Sequence, residues 1–367
     1  MKVPFFDLKQ QTNNLKKALL TTFEDVLDNS EFIYGKYVTT FEKEFSAYIG
    51  VNNTIGVSNG ADALYVALKA LEIGPGDDVI TTAHSWISTA DAITRTGAQP
   101  IFVDTNEFHV IDPNLITHKI TQNTKAILPV HLFGQMADIS TIQSICDAHG
   151  LFMVEDCAQA HGATFNNIKA GLTGEINAFS FYPTKNFGAF GDAGAITTNS
   201  DELSIECRII ANNGLDEKKQ PYYLGINSRM DALQAAFLSV KLNHLELWNR
   251  RRQAIAAIYT QELSNLVNIT LPKTQNECNH IFHVFAIEVD NREKLIAHLT
   301  QNEIGTTIHY TYLLPFTENY TYQHNQLKDF PNSVNKSSRL LSLPMYPELT
   351  DEQVYFVCES IRSFYGN

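Results

Sequence analysis

The chain has 367 residues, 44% of them apolar and 18% charged, which excludes a disordered protein and exceeds what one hydrophobic core usually supports. Its net charge of −13 argues against broad binding to nucleic acid or to an anionic membrane surface. Five scattered cysteines, with no CxxC spacing, give neither a zinc site nor a disulfide framework and fit a reducing compartment.

The N-terminal MKVPFFDLKQQ lacks an apolar signal core, and no apolar run is long enough to span a bilayer, so a cytoplasmic location is expected. Short apolar runs then alternate with helical patterns. TIGV (54–57) precedes a helix over 61–73. GPGDD (74–78) ends that helix, and the strands DVITT (78–82), QPIFVD (99–104) and KAILPV (125–130) follow. A helix over 137–150 leads to LFMVED (151–156), NAFSF (177–181) and GAITT (194–198). This alternation predicts an α/β fold with a mostly parallel central sheet and helices on both faces. From Asp231 a long helical pattern runs to Leu263, as expected of an element that bridges domains. Within it, Arg250-Arg251-Arg252 reads as a solvated face. HIFHVFAIEV (280–289) reads as a strand and 292–304 as a helix. The expected division is a large domain over 1–245 and a smaller C-terminal α+β domain over 246–367.

In open parallel sheets, ligands bind beyond the carboxyl ends of the strands. The polar residues placed there are Ser58-Asn59-Gly60, His84-Ser85-Trp86, Glu155-Asp156, Ser180 and Lys185. Lys185 stands in SFYPTKNFGAFGDAGA, among aromatics and glycines. A lysine amine loses its proton readily when desolvated, and the neutral amine attacks carbonyl carbon. Pyridoxal phosphate (PLP) is the common aldehyde partner of such a lysine. Its site also needs a carboxylate opposite the ring nitrogen and an anion cradle. Asp156 supplies the first. Gly60 and Ala61, opening a helix after TIGV, supply free N–H groups for the second. Trp86 is placed to stack on a ring or to fill core.

The same segment supports a rival. Gly56-Val57-Ser58-Asn59-Gly60 matches the G-x-S-x-G elbow of serine α/β hydrolases, and Asp156 and His161 follow in triad order. Against it, no oxyanion loop precedes Ser58, Asp156 and His161 are only five residues apart, and Lys185 gains no task. P-loop, dinucleotide and metal-binding motifs are absent from the sequence.

FFDLKQQ, GVSNGADAL, VEDCAQAHGA, SFYPTKNFGAFGDAGA, GINSRMDALQAA and LSLPMYPELT occur in this order along nearly the whole chain. With them the chain resembles the DegT/DnrJ/EryC1/StrS family of PLP-dependent nucleotide-sugar aminotransferases. The resemblance implies a fold-type-I transferase working as a homodimer with shared active sites. It implies that Lys185 is the Schiff-base lysine, Asp156 the partner of the ring nitrogen and Gln159 the neighbour of the ring's phenolic oxygen. Gly60, Ala61 and Ser180 resemble phosphate ligands, Asn227 one donated by the neighbouring subunit, and Trp86 the stacked aromatic. His161, Tyr182, Tyr223, His309 and Tyr310 are expected to meet substrate; for His161 a hydrogen-bonded loop histidine is the competing reading. Thr311 replaces the proline that often follows this His-Tyr pair.

The implied reaction moves an amino group from L-glutamate to a keto sugar on a nucleoside diphosphate, with ping-pong kinetics, in deoxyamino sugar or lipopolysaccharide O-antigen biosynthesis. Gly188–Gly194 and His161 look more like members acting on 3-keto sugars than on 4-keto sugars. Arg229 reads first as a salt bridge within the fold and second as a cation for donor or nucleotide; the loop over 214–227, with Lys218, Lys219, Tyr222 and Tyr223, reads as a solvated loop or as a flap that covers sugar or nucleotide. A third reading is a regulatory protein on the same fold that uses no cofactor.

Overall fold

The structure is a computed structural model and describes residues 1–216, 218–222 and 224–366. A seven-stranded sheet forms its centre. In spatial order the strands are Asn53–Val57, Gly194–Thr198, Ile176–Ser180, Phe152–Asp156, Thr124–Leu128, Asp78–Thr82 and Gln99–Val103. Gly194–Thr198 runs antiparallel to both its neighbours, and the other pairings are parallel. These strands read as apolar runs because helices bury both faces of the sheet. Each expected strand of this sheet is present within two residues of its predicted ends.

A second, antiparallel sheet joins Ile269–Thr270, Phe285–Val289 and Leu340–Leu343. The helices Leu245–Leu263, Arg292–Gln301 and Asp351–Tyr365 pack on it through Ile255, Tyr259, Leu295, Leu299, Val354 and Val357. Val3, from the far N-terminus, enters the same core and bridges to Ile304. Among the described residues, no helix is long and apolar enough to cross a membrane.

Three details differ from the sequence reading. The helical pattern from 231 to 263 is two helices, Ala232–Leu242 and Leu245–Leu263; at the break the His244 N–H turns back to the Lys241 carbonyl. The run HIFHVFAIEV is a strand only from Phe285. Ahead of it Phe282 takes a positive φ, and the Ile281 and His283 N–H groups bond Gly134 and Phe133. Arg252 is not solvated: it is 2% exposed, and its Nη1 donates to the carbonyls of His283 and Met345. The arginine run therefore straddles the helix, and this member faces the core.

Candidate active site

The parallel strands end on one side of the sheet, and a cavity of about 460 Å³ opens there. Lys185, Asp156, Gly60, Ala61, Trp86, Gln159, Ser180, Tyr182, His309 and Tyr310 all line it. Sheet order gathers the residues of the large region, and the 309–310 segment, tied to His84 and Ser342, brings His309 and Tyr310 to them.

Asp156 is the last residue of its strand and is buried. Thr89 Oγ1 donates to its Oδ2 at 2.9 Å, and the Ala158 N–H donates to Oδ1 at 3.1 Å. Burial pushes its pKa up from the usual carboxylate range, against those two bonds and the charge of Lys185. No salt bridge to Asp156 occurs among the described residues. Its neighbour Glu155 has the opposite fate. Burial raises its pKa too, but His131 and the N–H groups of Gly171 and Gly174 hold it below the usual value. Glu155 therefore ties down the 171–174 loop, and Asp156 is the carboxylate left facing the cavity.

Lys185 follows a tight turn in which its own N–H bonds the Tyr182 carbonyl. Its Nζ makes no hydrogen bond or ion pair among the described residues. Burial lowers its pKa to about 8, with Asp156 pulling the other way. A substantial fraction of the amine is neutral near physiological pH, as a nucleophile requires.

The anion cradle is built by close packing. The helix Gly60–Ala70 starts at Asn59, whose side chain accepts from the Asp62 N–H. A Cβ placed at Gly60 would lie 2.6 Å from Ser180 Cβ. A Cβ at Gly194 would lie 2.5 Å from the Asn59 carbonyl. Only glycine lets the helix start sit this near the strand ends, leaving the Gly60 and Ala61 amides beside Ser180.

Gln159 is held by two bonds: its Oε1 accepts from the Phe133 N–H at 2.7 Å, and its Nε2 donates to Tyr310 Oη at 2.9 Å. Tyr310 in turn donates its N–H to His84 Nε2, and its ring lies 5.5 Å from that of Trp86. Trp86 is half exposed, with a free face. His309 Nδ1 pairs with Ser342 Oγ, and burial lowers its pKa to about 4, aided by Lys185.

Two site residues expected from the sequence stand outside the cavity, and one lies outside the described residues. His161 is fully buried, its ring within 6.1 Å of the Phe179, Phe181 and Phe187 rings. Burial lowers its pKa to about 3, with the Ser180 backbone acting in the opposite sense. Neither the substrate contact nor the hydrogen-bonded loop histidine describes this placement, because its ring packs among phenylalanines and neither ring nitrogen finds a described partner. Asn227 is exposed and bridges to Asn212. Tyr223 falls outside the described residues. Arg229 lies beside Tyr34, lining a second cavity of about 520 Å³ with Arg208 and Lys218.

The hydrolase reading fails on geometry. Ser58 Oγ bonds Ser228 Oγ at 2.7 Å and Asp62 at 3.1 Å, with no histidine at hydrogen-bond distance. Neither ring nitrogen of His161 meets hydrogen-bond geometry with a described group. Sequence reasoning missed Thr89, Asn186 and His283. Thr89 is the second residue of the helix Ser88–Thr96, three positions after the noted His84-Ser85-Trp86, so its place just past the loop after the strand Asp78–Thr82 was the available signal.

The sequence matches the DegT/DnrJ/EryC1/StrS aminotransferase family over residues 13–362. The chain belongs to that family. It is 42% identical over 371 residues to the Pleiotropic regulatory protein of Geobacillus stearothermophilus, covering 100% of this chain and 99% of that one. It is 40% identical to the dTDP-3-amino-3,6-dideoxy-alpha-D-galactopyranose transaminase of Aneurinibacillus thermoaerophilus, covering 99% of each chain. The crystal structure of S. venezuelae DesV in complex with a ketimine intermediate superposes with a TM-score of 0.97 at 38% identity, covering 100% of this chain and 99% of that chain. The α/β aminotransferase architecture of the family is thus the architecture of this chain.

The residues present fit PLP. A desolvated amine and a buried carboxylate without a salt bridge line one cavity, and a glycine-lined helix start beside Ser180 offers amides to an anion.

Proposed function

We propose that this protein is a PLP-dependent aminotransferase that moves an amino group from L-glutamate to a keto sugar of a nucleoside-diphosphate sugar, with a 3-keto-6-deoxyhexose as acceptor. The observation carrying this reading is the pairing of Lys185 and Asp156 in one cavity. Gly60, Ala61 and Ser180 would hold the phosphate, Asp156 the ring nitrogen, Trp86 the ring face and Gln159 the ring's oxygen. When bound, PLP supplies an electron sink next to the carbon that loses or gains the amine.

This chain's residues supply the rest. Asp156, short of a cation, stabilises positive charge at the ring nitrogen. The Lys185 amine takes a proton from the donor carbon and later returns one to the acceptor carbon. Tyr310, held by Gln159 and His84, and His309, held by Ser342, border the space left for substrate. The acceptor assignment draws on the Aneurinibacillus relative, whose name describes a 3-amino sugar. A 4-keto acceptor remains the alternative.

The finer assignments follow. The large domain spans 1–245 and the small domain 246–367, with the second sheet wholly in the latter. A homodimer is supported by the exposed apolar Phe32 and Ile33, which lie against the 227–232 segment: Ile33 bridges to Asp231 and the Ala232 N–H bonds the Phe32 carbonyl. Asn227, exposed on that segment, then serves the partner's cradle. The cytoplasm, where nucleotide sugars are made, is the proposed location.

The test is direct. Purified protein with PLP should absorb visible light, and borohydride should fix the cofactor to Lys185, located by mass spectrometry of peptides. A panel of 3-keto and 4-keto nucleotide sugars with glutamate then identifies the acceptor. A regulatory role without cofactor chemistry is the second reading, favoured by the name of the Geobacillus relative. It requires an unmodified Lys185 and no turnover with any acceptor.

A further inference from the structure

Asp156 and Thr89 come from elements that do not adjoin. Asp156 ends the strand Phe152–Asp156. The strand Asp78–Thr82 leads into Ser85 and then the helix Ser88–Thr96, and Thr124–Leu128 lies between the two strands in the sheet. Thr89 Oγ1 nevertheless lies 2.9 Å from Asp156 Oδ2, and Ser85 Oγ lies 3.0 Å from Thr89 Oγ1. Three side chains thus form a line across the end of the intervening strand, along the wall of the cavity. Ser85 is 2% exposed and Thr89 1%, and the chemistry above gives neither a task.

Each hydroxyl owns one hydrogen, and that fixes the direction of the line. An ionised carboxylate can only accept. Facing one, Thr89 must give its hydrogen to Oδ2, and its oxygen is then left to accept from Ser85. The two hydroxyl oxygens make no other hydrogen bond among the described residues, so neither hydrogen has a competing described acceptor. A proton on Oδ2 would reverse both bonds, with Asp156 donating to Thr89 and Thr89 to Ser85. The other carboxylate oxygen, Oδ1, accepts from the Ala158 N–H at 3.1 Å, a donor that cannot turn. Thr89 itself is stiff: it is β-branched, and its own N–H bonds the Trp86 carbonyl at the start of the helix.

We propose that Thr89 is a positioning residue for Asp156: its hydroxyl, which accepts in turn from Ser85, donates to Oδ2 and holds the ionised carboxylate facing the cavity. Burial works against the ionised form. The bonds from Ala158 and Thr89 and the charges of Lys185 and His131 work for it. Among these supports, the Thr89 hydroxyl is the one that a substitution can delete with charge and side-chain shape nearly unchanged. The consequence for the ring nitrogen rests on the role proposed for Asp156. The tests read the chain without cofactor, so failure here is distinct from failure of that role.

The first test uses Thr89→Val, which replaces the hydroxyl by a methyl group. Carbon-13 spectra of the cofactor-free full chain, labelled at its aspartate carboxyls, follow Asp156 against pH, and Asp156→Asn identifies its signal by removing it. Losing a donor to the anion should raise the Asp156 pKa by about one unit. Thr89→Ser, which keeps the hydroxyl, should recover most of that shift. Ser85→Ala should raise the pKa by less than Thr89→Val does, because the donor to the carboxylate stays. An unchanged Asp156 titration in folded Thr89→Val overturns the proposal, and so does a Thr89→Ser chain that titrates like Thr89→Val.

The second test needs no substitution and decides the matter where the variants do not fold. Neutron diffraction from deuterium-exchanged crystals of the cofactor-free chain, at about pH 8 and so well above the usual carboxylate range, locates the hydroxyl hydrogens. One deuterium should sit on Thr89 Oγ1 and point to Asp156 Oδ2, and another on Ser85 Oγ and point to Thr89. A deuterium bonded to Asp156, or a Thr89 hydroxyl turned to Ser85, overturns the proposal.

Discussion

Gly60 and Ser180 meet at the carboxyl end of a central strand so closely that a side chain at position 60 would collide with Ser180 Cβ. That contact sets the helix start against the strand end and forms the anion cradle. Gly60→Ala should therefore cost about 1–3 kcal/mol of stability through overpacking. It should also weaken PLP binding by about tenfold or more, because the amides are displaced from the phosphate position. Thermal unfolding and a cofactor titration measure the two effects separately.

Asp156→Asn is close to isosteric: its Oδ1 can accept from the Ala158 N–H, and its Nδ2 can donate to Thr89 Oγ1, whose hydroxyl turns to Ser85. What it removes is the charge opposite the ring nitrogen. Breaking a buried charge pair costs about 3–5 kcal/mol, or roughly two to four decades in the quantity that depends on it. Turnover should fall by about that factor while the unfolding temperature changes little or rises, since burial disfavours the free carboxylate. Steady-state kinetics with glutamate alongside calorimetry checks both.

Lys185 should betray its burial by its reactivity. In the cofactor-free chain, its rate of modification should reach half-maximum near pH 8 rather than at the usual lysine value near 10.5. The sign follows from burial disfavouring the ammonium, so the reactive neutral amine appears at lower pH. Lys185→Ala should abolish both borohydride fixation and amino transfer.

The strands were legible because the sheet is buried on both faces and each strand carries a short apolar core such as Val79-Ile80 or Phe152-Met153-Val154. The cavity residues were legible because they end strands. His161 misled for a local reason: Gly162 takes a φ of +89°, and the turn carries His161 into the phenylalanine cluster although Asp156 and Gln159 nearby face the cavity. The helices Lys9–Asn29 and Gly35–Ile49 went unread. In the first, exposed Leu20, Phe23 and Leu27 blur the narrow buried face made by Leu15, Leu19 and Val26. His283 had no local signal, since only the fold brings it to the cavity wall beside Asn186, 97 positions earlier.

Ser58→Ala distinguishes structural from nucleophilic use of this serine. It removes the Ser228 and Asp62 contacts, so a loss of about 1 kcal/mol is expected. Amino transfer should survive, and no esterase activity should be present to lose. Chemical denaturation and a nitrophenyl-ester assay decide.

Shared sites between subunits can be read by mixing. Lys185→Ala and Asn227→Ala chains should each be impaired alone. Coexpressed, they should form hybrid dimers with one intact site, recovering activity above the sum of the two. Recovery absent from a verified hybrid would place Asn227 outside the partner's cradle.

The single reversed strand, Gly194–Thr198, lies between Asn53–Val57 and Ile176–Ser180 and wedges Gly194 against Asn59. A chain that ended before this strand would carry Lys185 but would lack the piece that joins the two halves of the phosphate seat. Coenzyme capture must then arrive late and abruptly, so that a loaded molecule certifies its own completed assembly.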